Sequence, residues 1–336
     1  MYKDQEAQCE VQMQSIAFFN NKGGVGKTTL LCNVAAYCAQ HLQKQVCIID
    51  ADPQCNATQY IFDDAMLDSL YGGAGFTIYR TVEPLTLGEG FAPRVPLTKS
   101  RSFGVSVLPG DPQLALMEDF LAQEWVDAKS GGIRGMKSSL VFAELLNRLR
   151  QFDLVFIDVS PSLGAINRSI LLASQYFLSP TSIDIFSLKA FENIAKWIND
   201  WSEEWKRGQD GIRDPRNVPK LPHGDVQFLG YVTQQYLAKR DASGNRRGVS
   251  AYETIRSQID DVIRGCGLDH GIPGHPIEIG TVPNLFSLIP MSQSSNKPVF
   301  ALQSKDGVVG AHFAKVKDAQ TIFGSVARGL LERIND

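Results

Sequence analysis

The run Asn20-Asn21-Lys22-Gly23-Gly24-Val25-Gly26-Lys27-Thr28-Thr29 packs three glycines, two lysines and two hydroxyls into ten residues. That mixture suits the cradling of a phosphate chain. Successive backbone amides can converge on an anion only where no Cβ holds the backbone away, which is the use of Gly23, Gly24 and Gly26. Lys27 is spaced to reach the β- and γ-phosphates of a nucleotide, and the Thr28 hydroxyl to ligate Mg²⁺. Two further runs end apolar stretches in carboxylates: Cys47-Ile48-Ile49-Asp50-Ala51-Asp52 and Leu154-Val155-Phe156-Ile157-Asp158. Acids at strand tips face the ligand crevice of an open α/β sheet, and Asp158 there binds a metal through water.

Such groups need a sheet to bring them to one edge. Strand-like runs occur at Ile16–Asn20, Val46–Asp50, Val105–Leu108, Leu154–Asp158, Tyr176–Pro180, Val226–Thr233 and Ile277–Val282. Helical stretches alternate with them at Lys27–Leu42, Gln113–Ala122, Ser138–Arg150, Ile183–Trp205, Ala251–Arg264 and Lys315–Ile334. The alternation predicts an α/β fold, a mostly parallel twisted sheet with helices on both faces. Residues 1–14 form a polar tail and 15–336 a single domain. Asp63–Ser102 and Gly208–Gly224, rich in glycine, proline and turn residues, are read as loops or insertions.

The glycine run departs from the usual phosphate loop in having Asn21 at its first position, followed by an additional lysine, Lys22. It resembles the deviant Walker A motif KGGxGK[ST] of the ParA/MinD family of P-loop ATPases, and in particular its ParA-type partition members. Asp50-Ala51-Asp52-Pro53-Gln54-Cys55-Asn56-Ala57-Thr58 matches that family's DxDPQxNAT segment. Asp158-Val159-Ser160-Pro161-Ser162-Leu163-Gly164 is similar to its DxPPSLG segment, with Ser160 in place of the first proline. Thr77-Ile78-Tyr79 echoes a short family helix. The resemblance implies an ATPase that uses ATP and Mg²⁺ and closes as a homodimer, with Lys22 crossing to the phosphates of the other subunit. It implies that Lys22, Lys27 and Asp52 are catalytic, Asp52 orienting or deprotonating the attacking water. Gly23, Gly24, Val25, Gly26, Lys27, Thr28 and Thr29 then bind the nucleotide, and Thr28, Asp50 and Asp158 serve the metal. By position Gln234, Pro283 and Asn284 fall at the adenine.

The implied task is a molecular switch that positions or segregates DNA or another large cargo, helped by a protein partner that stimulates hydrolysis. A regulatory ATPase serving a partner effector and a deviant-Walker metabolic ATPase are the alternatives. Net charge of −3 carries no overall signature for nucleic acid. The segment where partition relatives carry DNA-binding arginines, Val282 to Pro290, has no basic residue. Lys239, Arg240, Arg246, Arg247, Lys315, Lys317, Arg328 and Arg333 are the remaining basic candidates for non-specific DNA. No run reaches about 18 apolar residues, so no membrane insertion is expected. The six cysteines form no metal-like spacing and read as free thiols of a cytoplasmic protein. Ile322, Phe323, Val326, Leu330 and Ile334 form a helical stripe expected to pack on the sheet. Trp197, Trp201 and Trp205 form another, read as core with partner docking as the alternative.

Overall fold

The computed structural model describes residues 12–335, apart from 213, 215, 217–219, 222, 237, 241–245, 249, 272 and 273. In chain order the first strand is β1 (Gln14–Phe18), followed by α1 (Lys27–His41), β2 (Val46–Ala51), α2 (Asn56–Ile61), α3 (Asp64–Ser69) and α4 (Ile78–Thr86). Next come β3 (Thr98–Ser100), β4 (Val105–Leu108), α5 (Met117–Ala128), α6 (Ile133–Ser139), α7 (Val141–Asn147), β5 (Leu154–Val159) and α8 (Ala165–Ala173). The remainder comprises β6 (Tyr176–Thr181), α9 (Ile185–Asp210), β7 (Gln227–Tyr236), β8 (Ala238–Arg240), β9 (Arg246–Gly248), α10 (Ser250–Gly265), β10 (Glu278–Pro283), α11 (Leu288–Ser294) and α12 (His312–Asn335).

Eight strands form one sheet in the order β10-β7-β6-β1-β5-β2-β4-β3, all neighbours parallel except the β3–β4 edge pair. The period-2 alternation of side chains sorts the core onto two faces. Ala17, Cys47, Ile49, Val155 and Ile157 pack with α5 to α9 on one side. Ile16, Phe18, Val46, Ile48, Leu154 and Phe156 pack with α1 and α12 on the other. Helices on both faces explain why the central strands are apolar runs, buried throughout, rather than alternating sequences.

Four sequence expectations are corrected. Asp63–Ser102 is no bare loop: it holds α3, α4 and β3, with a π turn at Leu70–Ala74 whose Gly73 has φ 101°. Tertiary contacts fix α4 despite its internal Pro84: Ile78 N donates to Pro109 O at 2.8 Å, and Thr77 Oγ1 donates to Asp111 Oδ2 at 2.6 Å. The expected Ser138–Arg150 helix is the shorter α7, and Ser138 and Ser139 instead close α6, with the break at Leu140. Gly208–Asp210 belong to α9, which continues past Trp205; part of the remaining stretch to Gly224 lies outside the described residues. Lys239, Arg240, Arg246 and Arg247, which the sequence places in no strand or helix, stand on a two-stranded antiparallel ribbon, Lys239 opposite Arg247 and Arg240 opposite Arg246. Most of the 1–14 tail and Cys9 lie outside the described residues, and Gln14 already belongs to β1.

The two stripes are core. Phe323, Val326 and Leu330 are buried where α12 packs on α1 and β10. The buried Arg333 donates to the Gly329 and Pro276 carbonyls and serves packing, whereas Arg328 is exposed and its Nη1 donates to Tyr37 Oη. No described helix is long and apolar enough to cross a membrane. Trp205 is buried and stacks on Trp125 with ring centroids 6.1 Å apart; Trp201 is buried beside it in sequence, and Trp197 alone is 39% exposed.

Candidate nucleotide site

The phosphate loop joins β1 to α1 along the carboxyl edge of the sheet. Gly24 and Gly26 take φ 74° and 79°, a left-handed conformation natural to glycine. Gly26 is the N-cap of α1, and no side chain accepts from the helix's first amides. Those donors and the positive end of the helix dipole are left to an external anion. The Lys27 ammonium, buried, pairs with Asp158 Oδ1, and Thr28 Oγ1 donates to Asp158 Oδ2 at 2.7 Å. Parallel pairing of β2 and β5 sets Asp50 directly opposite Asp158.

Asp50 is fully buried, and its Oδ1 accepts from Asp52 N at 3.4 Å. Its Oδ2 accepts from Thr58 N at 2.8 Å and Thr58 Oγ1 at 2.6 Å, and Thr58 Oγ1 in turn accepts from Gly110 N at 2.8 Å. Burial, then the adjacent Asp158 charge, push the Asp50 carboxyl up to about 7 against the pull of Thr58. Asp52 Oδ1 accepts from Gln54 N at 3.0 Å, and burial raises its pKa as well. Lys22 stands apart, 36% exposed. Its ammonium pairs with Asp184 Oδ2 and donates to Ser182 Oγ at 3.0 Å. Burial alone would raise the Asp184 carboxyl, but the hydrogen bonds from Lys22 and Ser182 outweigh it and hold it below the usual range. The other oxygen of Asp184 caps α9 through Phe186 N and Ser187 N.

A cleft of about 660 Å³ opens over this constellation, lined by residues 22–29 together with Asp52, Asn56, Tyr60, Pro161 and Gln293. A second cavity of about 250 Å³ adjoins it through Gly26 and Thr29, and is lined by Gln234, Val282, Pro283, Asn284, Leu285 and Phe286 among others. The three residues expected at the base are therefore brought together beside the phosphate loop. They are not equivalent. Gln234 Nε2 is buried without a partner among the described residues, whereas Asn284 Oδ1 already accepts from Phe286 N at 2.8 Å and holds its own turn.

A family model described as an AAA domain matches residues 13–208. The chain belongs to the ParA/MinD-type P-loop ATPases. It is 31% identical over 189 residues to the chromosome-partitioning ATPase Soj of Thermus thermophilus, covering 56% of this chain and 63% of that one. Less than two thirds of Soj and of the Chlamydia muridarum plasmid protein pGP5-D is thus spanned. Among solved structures, protein DIP2308 of Corynebacterium diphtheriae matches with a TM-score of 0.68 at 31% identity, over 84% of this chain and 97% of that one. The Cyanothece McdA–ATP complex matches with a TM-score of 0.62 at 15% identity over 95% and 96%, a likeness of fold.

The donor set of this ParA/MinD-type site fits a metal that arrives with a nucleotide. Among the described residues no three His, Cys, Asp or Glu side chains could hold an ion by themselves. A single hydroxyl, strand-tip carboxylates reached through water, and phosphate oxygens instead meet the octahedral demand of Mg²⁺, which parts reluctantly with its waters. Thr28 already points at Asp158, and the α1 amides wait uncapped above. Sequence reasoning missed Thr58, quoted within a matching segment but given no role, and Ser182 and Asp184, about 160 residues from Lys22. Only Thr58 could have been found, as a hydroxyl in the first turn of the helix that follows a buried strand-end acid.

Proposed function

We propose that the chain is a single-domain, Mg·ATP-dependent switch ATPase. Two copies close face to face around two triphosphates, and hydrolysis reopens them, so that DNA or another large cargo is positioned or segregated. The observation that carries this reading is the division of labour between the lysines. Lys27 is buried on Asp158 beneath an uncapped helix, while Lys22 is left half-exposed on a carboxylate that it can exchange for another anion. The similarity to Soj, a chromosome-partitioning ATPase, and to McdA, whose structure holds ATP, supports it.

In this reading the amides of residues 23–29 bind the β- and γ-phosphates, and Lys27 leaves Asp158 to neutralise them. Thr28 would ligate Mg²⁺, and Asp50 and Asp158 would hold its waters. When bound, Mg²⁺ offsets the charge that develops between the β- and γ-phosphates. Asp52 orients a water whose oxygen bonds to the γ-phosphorus as the bond to the β,γ-bridging oxygen breaks, and takes the proton released. Its raised pKa suits that acceptance. Lys22 reaches the triphosphate held by the other copy, and Gln234, Pro283 and Asn284 contact the base. The γ-phosphate is the differential contact that selects the closed pair. Five described cysteines, all free, fit a reducing cytoplasm.

A second reading, a regulatory ATPase acting through a protein effector, draws on the basic residues. Arg333 is turned inward and Arg328, though exposed, is engaged by Tyr37, and phosphate contacts dominate non-specific DNA affinity. Titration of Lys22→Ala with a fluorescent ATP analogue, alongside phosphate release, tests the switch. Binding retained with hydrolysis lost supports it; unchanged turnover overturns the role given to Lys22.

A further inference from the structure

Phe286 stands where a structural residue would not be placed. Its φ is +46°, a left-handed conformation that costs a bulky side chain about 1 kcal/mol or more. Its ring is 61% exposed, so burial does not offset that cost. Two local devices hold it there: Asn284 Oδ1 accepts from Phe286 N at 2.8 Å, and Phe286 O accepts from Ile289 N at 3.2 Å. The ring lines the 250 Å³ cavity while remaining open to solvent, which puts it at the mouth. Lys315 Nζ lies 5.9 Å from the ring centroid.

A second observation points into the same cavity. Gln234 is only 6% exposed, yet its Nε2 has no partner. Its Oε1 would stand 3.2 Å from a Cβ placed on Gly26, so the amide sits directly over the end of the phosphate loop. A buried donor without an acceptor is costly unless a ligand supplies one.

We propose that Phe286 is a base-binding residue: its ring closes on the face of a purine whose edge accepts from Gln234 Nε2. Strained backbone with an exposed aromatic is retained because the ligand, and not the fold, uses the ring. The proposal rests on the nucleotide-binding reading above.

The test compares wild type, Phe286→Ala, Phe286→Gly and Phe286→Trp by calorimetric titration with ATP, ADP and inorganic tripolyphosphate, and by urea unfolding. Phe286→Ala should weaken ATP and ADP alike, on the order of tenfold, as expected for one lost stacking contact. Tripolyphosphate, which has no base, should bind all variants equally, and Phe286→Trp should retain nucleotide affinity. Phe286→Gly should unfold at or above the wild-type midpoint while losing nucleotide affinity, because glycine removes the strain. Unchanged ATP affinity in Phe286→Ala overturns the proposal, as does equal loss of ATP and tripolyphosphate, which would mark a structural role. A wild-type protein that binds neither nucleotide removes the parent reading instead.

Discussion

The phosphate end and the base end of the site are built in opposite ways. At the phosphate end the acids already have donors: Asp158 takes Lys27 and Thr28, Asp50 takes Thr58 twice, and Asp52 takes the Gln54 amide. At the base end a buried amide nitrogen has no partner and an exposed phenyl ring sits on strained backbone. Asp50 and Asp158 lie on central strands that are buried on both faces, with Asp52 just beyond β2, and an unpaired buried charge costs several kcal/mol. The base cavity lies toward the β7–β10 edge, where a single unsatisfied group is affordable until a ligand arrives. The contrast separates residues that serve the fold and the ligand together from residues that serve the ligand alone.

Substitutions can break that contrast in graded steps. Lys27→Ala removes the cation facing a fully buried carboxylate. It should destabilise the protein by about 3–5 kcal/mol in urea unfolding and abolish fluorescent-ATP binding. Retained binding would remove the phosphate-loop assignment. Asp52→Ala should leave ATP affinity within a few-fold while phosphate release falls by about 100-fold or more, and the ATP-bound pair should persist on size-exclusion chromatography. Normal turnover would show that another group positions the water. Thr58→Val strips one donor from Asp50 and one acceptor from Gly110 at nearly constant volume, at an expected cost of about 1–3 kcal/mol by denaturant titration. Gln234→Leu should show the reverse pattern: stability unchanged or slightly raised, since an orphaned donor is lost, but ATP bound several-fold more weakly. If Gln234→Leu proves as destabilising as Thr58→Val, the two ends are not built differently.

How much could be read from the sequence follows the same division. The order of strands and helices was legible because parallel strands buried on both faces appear as short apolar runs, Val46–Asp50 and Leu154–Asp158 being plain examples. The phosphate loop and the acids were legible because each motif is contiguous. What depends on distant pairing was not. Nothing near Lys22 in the chain announces Asp184, and nothing near Thr77 announces Asp111. Composition hid the helix α4, with Pro84 inside it and Gly72 and Gly73 before it; only the likeness of Thr77-Ile78-Tyr79 to a short family helix pointed there, and contacts with Pro109 and Asp111 fix it. At Leu140 the flanking Ser138 and Ser139 were taken for the start of a helix, whereas they end α6. Phe286 read as one more apolar residue, because a positive φ at a bulky side chain leaves no trace in composition.

The central claim is that a bound triphosphate joins two copies of this chain. Light scattering on the eluting wild-type protein, with Mg²⁺ and a non-hydrolysable ATP analogue and then with ADP, tests it most directly. The account predicts a mass of about twice 37.0 kDa with the analogue and a single chain with ADP. A mass of 37.0 kDa in both, under conditions where titration shows the analogue bound, would contradict it.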